Sequence, residues 1–204
     1  MELTANKFPL GMVIPAAGAS TRLGQPKQLL RWKGRTLISR TIQLGAEVGC
    51  DPVVVVLGAS AELISTEVNE LDCHQVINTQ WQQGIGGTIA LGTKKAISIA
   101  PDINGILILL TDQPAIDSLF LKKLLALFKD HPDNIIATGY ETKAGVPAIF
   151  PRSCFQALQK LSGDEGARNI IASSRQMVQV LTPSSPLLDI DTPEDYRHWL
   201  DSIK

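Results

Sequence analysis

Arg22 and Lys27 follow closely on a run of small residues, Ala16, Ala17, Gly18, Ala19 and Ser20, in the stretch AAGASTRLGQPK. Small side chains leave backbone N–H groups open, and successive N–H groups in a turn can surround an anion without a side chain intervening. An arginine fork and a compact lysine ammonium beside such a turn would offset the charge of a polyphosphate. That offset matters, because two unit charges 4 Å apart repel by roughly 4 kcal/mol at an effective dielectric of 20. The chemistry these residue types support is displacement at phosphorus, in which fixed cations stabilise charge on the transferring and departing groups. The stretch is not a Walker loop, since no Gly-Lys-Ser/Thr closes it, and it lacks the spacing of the dinucleotide fingerprint.

Acidic residues complete the set. Thr111, Asp112, Gln113 and Pro114 come immediately after the aliphatic run 106–110. A carboxylate at the end of a buried strand is costly unless a cation or donor meets it, so Asp112 is expected to hold Mg2+ beside substrate phosphates. In LLDIDTPEDY, Asp189 and Asp191 alternate along an extended segment and so share a face. Asp191 is the second metal candidate, while Thr192, Glu194 and Asp195 read as the cap and first-turn acids of a helix.

QGIGGT brings Gly84 and Thr88 as backbone and hydroxyl groups that would close on a base or ribose, with the Asn78 amide upstream to read a base edge. LSGDEGAR sets Arg168 near Gly163 and Asp164, which suits an anionic second substrate. The three histidines have no ligand spacing, and Ser20, Ser39 and Cys154 have no visible base partner. Covalent catalysis therefore has no support.

These loops need a scaffold that collects them. GMVIP, PVVVVLG, HQVIN, GILILLT and NIIAT are continuous aliphatic runs of the kind that form strands buried on both faces. Helical spacing fills residues 37–48, 61–70, 88–99 and 118–129. The alternation predicts an α/β fold: three layers, Rossmann-like, with a mostly parallel sheet. Toward the carboxyl end an extended VPAIF, helices over 152–160 and about 165–173, a strand MVQVL and a helix after Pro193 are expected. No repeat or linker interrupts the chain, so residues 1–204 read as one domain. In such sheets ligands bind at the carboxyl ends of the strands, where the loops after the first, third and fourth strands would converge.

Composition narrows the partners. The chain has 204 residues, 44% hydrophobic and 19% charged, with a formal net charge of -1. That balance gives no general attraction for nucleic acid or an anionic membrane, and points to small-molecule substrates. The runs 53–57 and 106–110 are too short to span a bilayer. Three scattered cysteines and the absence of a secretory pattern in the first twelve residues lead to a cytoplasmic expectation.

Taken in order, AAGASTRLGQPK, GIGGTIALG, TDQP, GVP at 145–147, GDEGAR and DIDTPEDY resemble the MobA-like NTP transferases, in particular the MocA-like molybdenum cofactor cytidylyltransferases. The resemblance covers essentially the whole chain. It implies a three-layer α/β/α nucleotidyltransferase fold and transfer of CMP from CTP to molybdopterin with release of pyrophosphate, using Mg2+. It also implies a molybdoenzyme as recipient of the product. The chain departs from the pattern at Thr88, Ile89 and Ala90, where members of the family often carry Ser-Leu-Arg, and at Val146, where they often carry His. Pro15 with Pro26, Lys27 and Gln28 is also similar to methylerythritol-phosphate cytidylyltransferase, the second-ranked reading. A non-catalytic molybdopterin-binding accessory protein is the third.

Overall fold

The structure is a computed structural model that describes residues 8–174, 177–184 and 187–202. Residues 1–7, most of the segment read for a secretory signal, lie outside the described residues. The elements in chain order are β1 (Leu10–Ala16), β2 (Arg31–Trp32), β3 (Arg35–Thr36), α1 (Leu37–Glu47), β4 (Cys50–Leu57), α2 (Ala61–Val68), β5 (His74–Ile77), α3 (Ile85–Ile99), β6 (Gly105–Ile108) and α4 (Ser118–Asp130). They continue with β7 (Ile135–Tyr140), β8 (Lys143–Pro151), α5 (Phe155–Gln159), α6 (Ala167–Ser173), β9 (Val178–Leu181) and α7 (Pro193–Ser202).

The aliphatic runs form the sheet, in the order β5-β4-β1-β6-β8-β7-β9. β1 pairs in parallel with β4 on one side and β6 on the other. Alternation along β1 sends Met12 and Ile14 into one apolar layer and Val13 into the other. The first layer is completed by residues of α1, α2 and α4. The second is completed by residues of α3, α5 and α6, so helices cover both faces. Among the described residues, no helix is long and apolar enough to cross a membrane.

The expected three-layer, mostly parallel fold is present, with four local corrections. VPAIF lies within the longer β8, which runs antiparallel between β6 and β7. α3 begins at Ile85 rather than at residue 88, so Gly86 and Gly87 lie in its first turn and Gly84 is its cap residue. The helix expected over 152–160 is a short 3-10 turn, Arg152–Cys154, followed by α5. The next helix starts at Ala167, after a turn closed by the Glu165 N–H on the Ser162 carbonyl.

A third apolar cluster positions the site. Leu23, Leu30 and Leu37 from the segment after β1 pack with Ile190 and with Trp199 of α7. Trp32 packs against Trp199 with ring centroids 5.4 Å apart and planes inclined by 52°, and the Tyr196 hydroxyl donates to the Arg31 carbonyl at 2.5 Å. The carboxyl-terminal segment is thereby held against the first loop. Its helix starts as its sequence suggests, with the Thr192 hydroxyl accepting from the Asp195 N–H and the Asp195 carboxylate accepting from the Thr192 N–H.

Candidate active site

The turn after β1 is built from inside. The Gln28 amide, 2% exposed, donates to the carbonyls of Ala16 at 3.0 Å and Gly18 at 3.4 Å. The Ala17 carbonyl accepts from the Ala59 N–H at 3.0 Å. With these carbonyls engaged, Ala17 and Gly18 line a cleft together with Lys27 and Gln28. A side chain on Gly18 would meet nothing within 4 Å and would project into open space. Ser20, with φ of 52°, turns the chain back, and its hydroxyl accepts from the Lys27 N–H at 3.1 Å. Ser20 thus closes the loop that delivers Lys27.

The Lys27 ammonium lies 2.7 Å from Asp112 Oδ2 and 2.9 Å from Asp191 Oδ1. It also donates to the Ile190 carbonyl at 3.5 Å. Arg22 reaches the other Asp191 oxygen at 3.3 Å from an exposed position. Three residues expected to share a site do share one, although they come from the first loop, the fourth-strand loop and the carboxyl-terminal segment. Burial raises the Asp112 carboxyl above its ordinary range, against the pull of Lys27. The Lys27 hydrogen bond holds Asp191 below its ordinary range. Burial lowers Lys27, but Asp112 and Asp191 together outweigh it and leave the ammonium above its ordinary value.

The cleft beside this cluster has a volume of about 360 Å³. Its far wall contains Gly84, Ile85 and Thr88, with Trp81 and Gln82 of a 3-10 turn that the sequence reading missed. A second cavity of about 240 Å³ adjoins it, and Ile85 and Leu110 line both. Arg168 and Asp164 stand there above an apolar floor that includes Ile89 and Val146. Arg168 is exposed, and its side chain makes no hydrogen bond or ion pair among the described residues.

Three expectations change in detail. Asn78 is buried and does not line the cleft: its NH2 donates to the Thr88 hydroxyl at 3.0 Å and its carbonyl accepts from the Gln80 N–H at 3.0 Å. It clamps the end of β5 to α3, so its amide is not free to read a base edge. Thr88 lines the cleft, but its hydroxyl is the acceptor of that clamp. The Gly163 carbonyl accepts from the Gly86 N–H at 2.9 Å and so caps α3, which ties Gly163 to the helix start instead of to a second substrate.

Gly84 is where these loops touch. Its φ is 113°, and an added Cβ would lie 2.2 Å from the Gly163 carbonyl oxygen. Gly84→Ala is expected to destabilise the protein through strain of about 1–3 kcal/mol and overpacking of about 1–3 kcal/mol. Urea unfolding would measure this, and an unchanged midpoint would show that the two loops separate freely.

The carboxylate pair suits a hard divalent cation. Asp112 Oδ1 is buried and has no partner among the described residues, and the two carboxylates already share one cation, the Lys27 ammonium. No group of three or more His, Cys, Asp or Glu residues that could hold a metal occurs among the described residues. Mg2+ sites with one or two carboxylates draw their remaining ligands from water and substrate phosphates.

A mostly parallel sheet with a small-residue turn, a lysine and an aspartate beyond the carboxyl ends of β1 and β6, met by a second carboxylate from the carboxyl-terminal segment, is the arrangement of a nucleotidyltransferase. The chain belongs to the MobA-like NTP transferase family, whose domain matches residues 12–180. It is 33% identical over 196 residues to purine catabolism protein PucB of Bacillus subtilis, covering 90% of this chain and 92% of that protein. It is 31% identical to nicotine blue oxidoreductase of Paenarthrobacter nicotinovorans, covering 89% and 92%. It is 25% identical to the molybdenum cofactor cytidylyltransferase of Escherichia coli, covering 90% and 92%. Among solved structures, Rv0371c of Mycobacterium tuberculosis superposes with a TM-score of 0.83 at 28% identity, covering 95% of this chain and 97% of that one. Rv0371c is also known in complex with manganese.

Proposed function

We propose that this nucleotidyltransferase transfers CMP from CTP to molybdopterin with release of pyrophosphate. The observation that carries the reading is the Lys27 ammonium held between Asp112 and Asp191 at the mouth of a cleft bounded by Ala17 and Gly18. The cytidylyl choice is supported by the AAG form of the first loop, and the acceptor by relatives named molybdenum cofactor cytidylyltransferase and guanylyltransferase.

A phosphate oxygen of the acceptor attacks the α-phosphorus. The bond from that phosphorus to the β-phosphate oxygen breaks in line, and the electron pair leaves with pyrophosphate. Such a reaction asks the protein mainly for positioning and charge neutralisation. The N–H groups of the turn through Ala16, Ala17, Gly18 and Ala19 bind phosphate, with Gly84 and Thr88 on the opposite wall. Lys27 and Arg22 stabilise charge on the triphosphate and leaving pyrophosphate. Asp112 and Asp191 would hold Mg2+, which supplies further charge neutralisation at the phosphates. Arg168, with Asp164 beside it, receives the anionic acceptor in the adjoining cavity. The product would pass to a molybdoenzyme.

A second reading, a non-catalytic carrier of the pterin, is favoured by one observation. Ala90, at the position where related transferases carry arginine, is 5% exposed and packed in the apolar layer with Val13 and Ile108. Two assays separate the readings. CTP is expected to bind at least about tenfold more tightly than GTP or ATP in the presence of Mg2+, a difference of about 1.4 kcal/mol. Pyrophosphate should then appear only when molybdopterin is added. Equal affinity for the three nucleotides overturns the cytidylyl assignment, and tight CTP binding without pyrophosphate release favours the carrier.

A further inference from the structure

Gln113 takes no part in the chemistry above, yet it is 5% exposed and both hydrogens of its amide are engaged. Its Nε2 donates to the Tyr140 hydroxyl at 2.9 Å and to Asp189 Oδ1 at 3.0 Å. The Tyr140 hydroxyl in turn donates to the Val146 carbonyl. Tyr140 ends β7 and Val146 lies in β8, so one side of the Gln113 amide is fixed to the sheet. The other side holds the carboxyl-terminal segment.

That segment has no regular secondary structure between residues 187 and 192. Its place depends on a few contacts with the loop that follows β6. The Ile190 N–H donates to the Asp112 carbonyl at 2.9 Å, and the Ile190 side chain is fully buried in the cluster with Leu23 and Trp199. Asp191 meets Lys27 on one side of Ile190, and Asp189 meets Gln113 on the other. The contact to Gln113 is the polar side-chain tie on the upstream side.

We infer that Gln113 is a positioning residue: through Asp189 it holds the carboxyl-terminal segment in the register that keeps Asp191 on Lys27. The role of Asp191 in the reaction rests on the proposed function, whereas the clasp itself does not. Residues that orient metal-binding carboxylates from behind typically change metal affinity by about 10–100-fold when removed. Asp189 is exposed, so its replacement leaves the folded core intact, and it provides the cleaner variant.

Two measurements on the full chain test the inference. Asp189→Ala removes the acceptor for Gln113, and hydrogen exchange of segment 187–192 is expected to quicken about tenfold while β1 and β4 stay protected. Asp189→Asn keeps an acceptor oxygen and should restore wild-type protection. In parallel, the Mn2+ concentration that half-saturates pyrophosphate release should rise about tenfold in Asp189→Ala and return to near the wild-type value in Asp189→Asn. Unchanged exchange in Asp189→Ala overturns the inference. So does faster exchange with wild-type metal dependence, because the clasp would then hold the segment without positioning Asp191. Loss of protection in both variants also overturns it, since the carboxylate charge and not the Gln113 hydrogen bond would be what matters. Wild-type protein that releases no pyrophosphate removes the proposed function and leaves the clasp to be judged by exchange alone.

Discussion

Lys27→Ala is expected to lower pyrophosphate release from CTP by about 10²–10³ at saturating nucleotide and Mg2+, the range seen when one fixed group that meets transition-state charge is removed. The substitution deletes the cation that hydrogen-bonds both Asp112 and Asp191. Arg22 cannot replace it, because Arg22 is exposed and touches only the outer oxygen of Asp191. Initial-rate assays would measure the loss, with thermal melting to show that the variant is folded. Turnover at the wild-type rate would remove Lys27 from the mechanism. Alkaline pH should mimic the substitution only weakly. The folded-state value of Lys27 lies above its ordinary 10.5, so its stabilising bridges are fully present below that ordinary value. They are lost only as pH rises through the higher folded one.

Asp112→Asn separates activity from stability. Release of pyrophosphate should fall by at least about 10² under the proposed function, since a neutral amide would replace the carboxylate proposed to hold Mg2+ and to pair with the ammonium. The melting temperature should stay within about 4 °C of wild type, on the order of 1 kcal/mol. Burial raises Asp112 above its unfolded value of 3.8, so the fold disfavours its charged form and loses stability as pH rises between those two values. The amide avoids that loss, and Lys27 keeps Asp191 at 2.9 Å as a partner. Asp191 has the opposite sign: its depressed value contributes stability that is present above 3.8 and is lost as pH falls through the folded value. Melting curves of wild type and Asp112→Asn across the acid range would show this opposition. A variant that collapses at neutral pH would show that Asp112 is a structural keystone instead of a functional group held at some cost to stability.

The strands were legible because burial on both faces writes an unbroken aliphatic run, as in residues 53–57, which need no distant information. β8 was harder, since nothing in VPAIF says whether its partners run with it or against it. The start of α3 was hidden by glycine, a poor helix former whose presence at 84 and 86 answers instead to the close approach of Ser162 and Gly163. Lys27, Asp112 and Asp191 could be named as candidates because each is a charged group beside an apolar or small-residue stretch, and their side chains do meet. Gln28, Gln113 and Tyr140 could not be named in this way. An amide next to a lysine or an aspartate carries no sign of whether it is solvated or braced, and Gln113 meets Asp189 across 76 residues of chain. Asn78 failed for the same reason in reverse, its partner Thr88 being nearby but its burial invisible in the sequence.

The packing of Ile190 and Trp199 against Leu23, Leu30 and Leu37 has a consequence for biosynthesis. A ribosome-bound chain can assemble its central strands early, because domains tend to fold from the amino terminus as they emerge. Lys27, however, gains its second carboxylate only once the segment carrying Ile190 and Asp191 has docked on the first loop. A chain interrupted before Asp191 should therefore leave the Lys27 ammonium bridged to Asp112 and without its bond to Asp191.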